Sequence, residues 1–370
     1  MELNSLEDVI AYLSTGIMTA GPGNPRFSDE RYKPYPLSDK NIKEINQVDS
    51  GRKIAFVDGG NINLISSPSF SVHLVRIYFN IFENNCRVNP VKIPSRIDFY
   101  TLAQSKIEKN EIHFEGKIFP VNENHKDYLP SEKLSFNSWD PTLVSGGFRA
   151  DINKVCTTAR RFAEWYLAGK IAEEELGNGD LLVRDGTLQT SVTNEAYYAN
   201  QAYRLTQDNG VIFSALAKTC TLYTDTGNSL AKVIRDIGDK KLPGKSWYYH
   251  PVADIQHPDH KAELFFTKLH GESKYVFRFE INRDQTQKMD TSEMESIISS
   301  LAKNSMDMSF PGYPYGLIDA DRFARVQMWE HEQHRVMLMA EASKAKRWDE
   351  MEKFLSSTNA HDILMRVGGI

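Results

Sequence analysis

The order of strand-like and helix-like segments limits the folds open to this chain more than any other feature. In the first part, apolar and alternating runs typical of strands follow one another with no helical segment between them. They span 53–58, 71–82, 97–103 and 111–119. After a polar stretch at 120–150, helical and strand patterns alternate. The later segments are a helix at 152–176, a strand at 181–185, a helix at 193–207, a strand at 211–218, a helix at 228–238, a hairpin within 262–281, and helices at 291–303 and 319–356.

This order predicts an α/β fold. Strands that follow one another directly form antiparallel pairs, whereas strands separated by helices are typically parallel. We therefore expect a ribonuclease-H-like mixed sheet with flanking helices, to which a β-hairpin and C-terminal helices are added. A short amphipathic helix at 5–14 and a turn-rich, irregular arm at 20–40 precede the first strand.

The composition excludes several classes of protein. Hydrophobic residues make up 41% and charged residues 25% of the chain, which is typical of globular proteins and argues against disorder or a coiled coil. The net charge of −5 excludes a polycation, so any contact with nucleic acid requires a local basic groove. Cys86, Cys156 and Cys220 form no C-x-x-C pair, and no apolar window is long enough for a membrane span. We expect a cytoplasmic protein without a disulfide framework.

Two of the predicted strands end in an aspartate followed by glycine. Asp58 follows IAFV and precedes Gly59 and Gly60, and Asp185 follows LLVR and precedes Gly186. Two such strands can bring their carboxylates together at one edge of a sheet, as hard divalent cations require. An Asp-Gly pair after a strand is also common in simple turns, so each pair alone leaves both interpretations open.

The helix before the second of these strands offers a third acid. That helix must run antiparallel to the strand, and roughly 11 helical residues retrace the ~16 Å of a five-residue strand. Counting back from the helix end places Glu164 at the same end of the sheet as Asp185, and a group of three glutamates that includes Glu173 at the opposite end.

Two basic residues are candidates for contact with a phosphate. Arg160 could face a phosphate or solvent. Lys218, which ends strand 211–218, could stabilise phosphate charge or extend into solvent.

Four segments of the chain resemble the motifs of NurA nucleases, in the order found in that family. They are IAFVDGG at 54–60, LLVRDGTL at 181–188, ALAKT at 215–219 and GYPYGLIDADRFARV at 312–326. The resemblance implies a ribonuclease-H-like, manganese-dependent or magnesium-dependent DNA nuclease. It also implies a homodimer that works with a HerA-type hexameric ATPase in DNA end processing or repair, as a 5′-to-3′ exonuclease with endonuclease activity on single strands.

The resemblance also assigns roles to individual residues. Asp58 and Asp185 match the two metal-binding aspartates, and Glu164 matches the acid on the intervening helix, with Glu173 as a rival. Near the C-terminus the family has a tyrosine-proline pair, a leucine and often an alanine-histidine. Tyr313, Pro314, Leu317 and Ala320 fit this pattern, but Asp321 stands where the histidine is expected. Aspartate could bind the same hard cation, so we expect Asp321 among the metal ligands, together with Asp58, Asp185 and Glu164.

The resulting hypothesis is a metal-dependent DNA nuclease. We expect Asp58, Asp185, Glu164 and Lys218 in catalysis, and Arg160, Tyr313 and Tyr315 in DNA binding. The expected domains are a helix and arm at 1–50, a NurA-like nuclease domain at 51–330 and a helical extension at 331–370. A catalytically degenerate dimeric adaptor of a hexameric DNA translocase and an RNA-cleaving enzyme of the same fold remain as alternatives.

Overall fold

The computed structural model describes residues 4–17 and 21–356 of the chain. The helices are α1 (Asn4–Ile17), α2 (Asn153–Glu174), α3 (Glu195–Asp208), α4 (Leu230–Lys241), α5 (Arg283–Thr286), α6 (Thr291–Lys303), α7 (Tyr315–Ala324), α8 (Met328–Lys344) and α9 (Trp348–Ser356). The strands are β1 (Pro25–Arg26), β2 (Tyr32–Pro34), β3 (Ile42–Glu44), β4 (Lys53–Ser67), β5 (Phe70–Glu83), β6 (Cys86–Val88), β7 (Arg96–Glu108), β8 (Glu111–Pro120), β9 (Ser135–Asn137), β10 (Leu181–Asp185), β11 (Ile212–Ala217), β12 (Tyr223–Thr224), β13 (Trp247–Tyr249), β14 (Ala253–Ile255), β15 (Ala262–Lys268) and β16 (Phe277–Asn282).

The predicted α/β class is confirmed. Strands are hydrogen-bonded in the order β3-β13-β15-β16-β11-β10-β4-β5-β7-β8-β9, with β6 on β5, in one large mixed sheet flanked by helices. The strands that follow one another directly in the first part, β4, β5, β7 and β8, are antiparallel neighbours as expected. Among the described residues, no helix combines the length and apolar character needed to cross a membrane.

The chain divides into two compact units by its internal contacts. One consists of Lys53–Leu182, Thr190–Val211 and Gly316–Ile370. In this unit α2 packs on β4 and β5, and the Phe56, Phe79 and Phe99 side chains of the strands are fully buried. The inward face of α2 carries small and aromatic side chains that are also fully buried, including Ala159, Ala163 and Phe162. This close helix-sheet packing sets the position of every side chain that α2 presents toward β4.

The other unit consists of Met1–Arg52, Val183–Gln189 and Ile212–Tyr315. The predicted hairpin is present as β15 and β16, and β11 pairs antiparallel with β16. A buried cluster that includes Leu230 and Ile234 of α4 and the Trp247 ring of β13 forms part of its core.

Three segments differ from the sequence-based expectation. Strand β4 does not end at residue 58 but continues to Ser67, paired with β5 along its whole length except for one irregularity. The segment predicted as helical at 319–356 consists of α7, α8 and α9, because a capping box between Gln327 and Glu330 starts a new helix and Lys346 has a left-handed φ of 55°. The irregular arm carries the short strands β1 and β2. Of the predicted helical extension at 331–370, residues up to 356 belong to α8, α9 and the turn between them, and residues 357–370 lie outside the described part of the chain.

Candidate metal centre

Asp58 lies within β4, opposite Tyr78 of β5, rather than at the end of a strand. The residue is 9% exposed, and its Oδ1 accepts a hydrogen bond from the backbone N–H of Gly59 at 2.7 Å. The two glycines after it therefore do not form the expected turn. Instead, they continue the strand without side chains.

Gly59 and Gly60 allow two helices to approach β4 beside Asp58. A Cβ built on Gly59 would lie 2.6 Å from Oε1 of Glu164 on α2. A Cβ built on Gly60 would lie 2.3 Å from the backbone oxygen of Ala324 at the end of α7. Gly60 meets backbone atoms, so this glycine sets how closely α7 approaches the strand, whereas the atom nearest Gly59 is the end of the flexible Glu164 side chain.

Asp321 lies on α7, and the neighbouring residues hold this helix against β5. Ala320 and Ala324 pack with Tyr78, and the Asn80 side-chain amide donates to the backbone oxygen of Gly316 at 2.9 Å. The Asp321 carboxylate accepts a hydrogen bond from Arg325, one turn further along, at 3.0 Å.

Asp185 is the last residue of β10, as expected, and its loop is fixed on both sides. Gly186 has a φ of +102°, and the Arg184 guanidinium donates to the backbone oxygen of Thr187 at 2.8 Å. Lys218 follows β11, and its ammonium group lies 2.7 Å from Oδ2 of Asp185. Lys218 therefore forms an ion pair with the Asp185 carboxylate.

Asp58, Asp185 and Asp321 form a group of carboxylates that could hold a metal ion. One oxygen from each residue lies within 4.8 Å of the other two. At an effective dielectric constant of about 20, two unit charges ~5 Å apart repel by roughly 3 kcal/mol, so the grouping favours binding of a cation. An all-carboxylate donor set fits a hard divalent cation such as Mg²⁺ or Mn²⁺.

Glu164 is not a member of this group of three. It lies against Gly59, the residue that follows Asp58 on β4. It is 3% exposed and forms an ion pair with Arg160, which also donates to the backbone oxygen of Gly59 at 2.9 Å. Its rival Glu173 is instead in an ion pair with Lys170 at 2.8 Å. Of the two glutamates, Glu164 is therefore the one that contacts the strand carrying Asp58.

The two tyrosines expected to bind DNA have different environments. Tyr313 is 2% exposed, and its ring stacks on Phe310 and contacts Phe277, with ring centroids 5.3 Å and 5.1 Å away. This structure therefore uses the Tyr313 ring in packing and does not present it for stacking on a base. Tyr315 begins α7 and is 40% exposed.

A buried charged cluster that supports the Asp185 loop was not predicted. Glu280 of β16 accepts a hydrogen bond from the backbone N–H of Leu188 at 2.7 Å and forms ion pairs with Arg278 and His260. Burial raises the pKa of Glu280, but these partners outweigh it and lower the pKa to about 2. The only signal in the sequence is the i, i+2 spacing of Arg278 and Glu280, which puts both on one face of a strand.

The chain is similar to a known protein family and to several solved structures. Residues 52–326 match the NurA domain. Among solved structures, the NurA nuclease from Sulfolobus solfataricus is 14% identical with a TM-score of 0.48, covering 94% of this chain and 96% of that one. Endonuclease V from Ciona intestinalis, in complex with DNA, is 8% identical with a TM-score of 0.33, covering 88% and 97%. The Argonaute of A. aeolicus is 9% identical with a TM-score of 0.28, covering 76% and 29%. No curated protein matched the chain.

Proposed function

The chain belongs to the NurA family of nucleases, and we propose that it is a metal-dependent DNA nuclease that hydrolyses phosphodiester bonds. The observation that carries this proposal is the grouping of the Asp58, Asp185 and Asp321 carboxylates. Their donor oxygens are close enough to share a cation, and nothing but oxygen is offered to it.

In the proposed site these three aspartates hold Mn²⁺ or Mg²⁺. A bound divalent cation supplies activation of water and neutralises negative charge on the phosphate that is attacked. Asp321 replaces a histidine of the family pattern with another oxygen ligand, so the substitution preserves the capacity for a hard cation.

The remaining residues act on the substrate or support the aspartates. Lys218 is within ion-pair distance of Asp185 and can transfer this interaction to a phosphate oxygen when the strand binds. Glu164 and Arg160 hold each other beside Gly59, which fixes the part of β4 that follows Asp58. The exposed ring of Tyr315 is suited to a contact with the DNA strand.

We further propose that the nuclease works as a homodimer with a HerA-type hexameric ATPase in the processing of DNA ends. Family membership supports this proposal. It also supports the expected 5′-to-3′ exonuclease polarity and the expected endonuclease activity on single strands. Co-purification and gel filtration of the two proteins test the partnership and the dimer separately from the chemistry.

The test of the nuclease is cleavage of end-labelled linear DNA with Mn²⁺ or Mg²⁺ added to metal-free protein. We expect cleavage by the wild type and loss of cleavage in Asp58→Ala, Asp185→Ala and Asp321→Ala. Asp236→Ala is the matched control, because Asp236 lies on the exposed surface of α4 in an ion pair with Lys232. Full activity in the Asp58 and Asp185 variants contradicts the proposal.

The same experiment separates the alternatives. A protein that digests no nucleic acid, with or without the ATPase, is the degenerate adaptor. A protein that digests RNA and leaves DNA intact is an RNA-cleaving enzyme of the same fold. The presence of three grouped carboxylates favours the active enzyme over the adaptor, since a degenerate site has no need of mutually repelling acids.

A further inference from the structure

A small cavity adjoins the loop that carries Asp185. Its volume is about 300 Å³, and its lining includes Phe27, Tyr32, His257 and Gln189. Binding pockets for small molecules begin at roughly this size, so the cavity suits a single flat ring system rather than a larger ligand.

Aromatic rings form one side of the cavity. The Phe27 and Tyr32 rings are stacked with centroids 5.1 Å apart and an interplanar angle of 16°. The His257 ring lies 5.8 Å from the Tyr32 ring. The Tyr32 hydroxyl and Nδ1 of His260 are 3.0 Å apart, which fixes the orientation of the tyrosine ring. A further flat ring can pack against such a surface with favourable stacking energy.

The charges around the cavity are already paired. Arg278 lies 2.5 Å from Glu280, and Asp29 is held by Arg31 and lies 3.6 Å from His257. A phosphate would have to compete with these carboxylates for the arginines. The cavity therefore favours an uncharged ligand over an anion.

Gln189 supplies hydrogen-bonding groups that the described residues do not use. Among residues 4–17 and 21–356 its side-chain amide forms no hydrogen bond, although its backbone is bridged to His260. The amide offers one acceptor and two donors, and glutamine can pair with the edge of a base through both kinds of group.

The connection to the candidate metal centre is short. Gln189 is four residues after Asp185, so the chain between them spans at most about 14 Å. The loop is held by the bond from the Leu188 N–H to Glu280, so the position of Gln189 is tied to that of Asp185. A strand bound at Asp185 can thus reach the cavity with a nearby nucleotide.

We propose that this cavity is a base-binding pocket, which takes one unpaired nucleobase of the DNA strand held for cleavage. The base stacks against the aromatic wall of Phe27 and Tyr32, and its edge pairs with the Gln189 amide. This inference rests on the proposed nuclease function, because the base in the cavity belongs to the DNA strand that the nuclease binds at Asp185. It predicts that the enzyme engages single-stranded or unpaired DNA next to the scissile bond.

The test measures binding, so that it does not depend on cleavage. Full-length protein carrying Asp58→Asn, which keeps the DNA intact, is titrated with a fluorescent single-stranded oligonucleotide and followed by anisotropy. A series of oligonucleotides carries one abasic site at successive positions. We expect one position at which the abasic site weakens binding by about 5-fold to 100-fold, as expected for a lost stacked base.

Variants then assign that position to the cavity. Tyr32→Ala should weaken binding of the intact oligonucleotide by a similar factor and leave binding of the sensitive abasic oligonucleotide unchanged. Tyr35→Ala is the matched control, because Tyr35 belongs to the same segment but is 43% exposed and does not line the cavity. Gln189→Ala removes no hydrogen bond to any residue that the structure describes, so it should alter the preference among the four bases without loss of stability.

The outcomes distinguish the two proposals. Equal binding of every abasic oligonucleotide, or equal loss for intact and abasic DNA in Tyr32→Ala and Gln189→Ala, overturns the base-binding pocket. If the wild type fails to cleave DNA with any divalent metal but the position-specific loss is present, the nuclease proposal fails and the pocket stands. If the wild type cleaves and no position is sensitive, the pocket alone is refuted.

Discussion

Substitution of Gly60 by alanine tests how the fold builds the candidate metal centre. Gly60 is two residues after Asp58 on β4, and Asp321 is three residues before Ala324 on α7. Because the Gly60 backbone lies against that of Ala324, an added methyl group acts directly on the distance between the strand and the helix.

The expected displacement follows from the geometry. The added Cβ would lie 2.3 Å from the Ala324 backbone oxygen, and real Cβ atoms essentially never come closer than 3.0 Å. One backbone must therefore move by at least about 0.7 Å. Overpacking of this kind costs typically 1–3 kcal/mol of stability, and a misplacement of about 1 Å at a site can reduce the rate on the order of 100-fold.

The assay compares Gly60→Ala with Gly177→Ala. An alanine at Gly177 would meet only the Asp180 carboxylate at an ordinary 3.7 Å, so it controls for the change from glycine itself. We expect Gly60→Ala to remain folded, to unfold at a lower temperature, and to lose Mn²⁺ affinity and DNA cleavage together. Wild-type metal affinity and cleavage in Gly60→Ala would refute the argument that this contact sets the position of Asp321.

Three further predictions concern charged side chains. Since the pKa of Glu280 is lowered from 4.5 to about 2, its contribution to stability, on the order of 3 kcal/mol, is present above pH ~4.5 and lost as the pH falls toward 2. The difference in unfolding free energy between wild type and Glu280→Gln should therefore shrink across that range, and a constant difference would contradict the pairing. Glu195 is fully buried and accepts hydrogen bonds from Arg161 and from the backbone N–H of Val192, just before α3, so we expect Glu195→Ala to lower the free energy of unfolding in urea by about 3–5 kcal/mol; a loss below 1 kcal/mol would contradict this. Lys218→Met should tighten Mn²⁺ binding measured by calorimetry, because Asp185 loses a competing cation, and slow DNA cleavage; weaker metal binding would exclude that competition.

The succession of strands and helices along the chain and the two aspartates were within reach of sequence reasoning because their signals are local. An apolar run that ends in aspartate and glycine predicts a buried strand and a carboxylate beside it, and both Asp58 and Asp185 lie on such strands. The turn expected at Gly59 and Gly60 is absent. Glycine is found in turns, but it is also found where another segment packs close to the backbone, and only the positions of α2 and α7 show that the second case applies here.

Tertiary contacts also determine the environment of side chains whose position no local sequence pattern predicts. Glu175, which follows α2, accepts hydrogen bonds from the backbone N–H groups of three successive residues, Val91, Lys92 and Ile93. Tyr313 was expected at the DNA, but it packs among other aromatic rings. In both cases the partner is distant in sequence, so periodicity and spacing carry no information about it.

The location of manganese in crystals of the wild-type protein tests the proposed metal centre without relying on activity. Diffraction data collected near the manganese absorption edge, after growth in MnCl₂, reveal bound ions as anomalous peaks. We expect a peak surrounded by carboxylate oxygens of Asp58, Asp185 and Asp321. Manganese bound elsewhere, with these three carboxylates free of it at saturating concentration, would contradict the proposed metal centre.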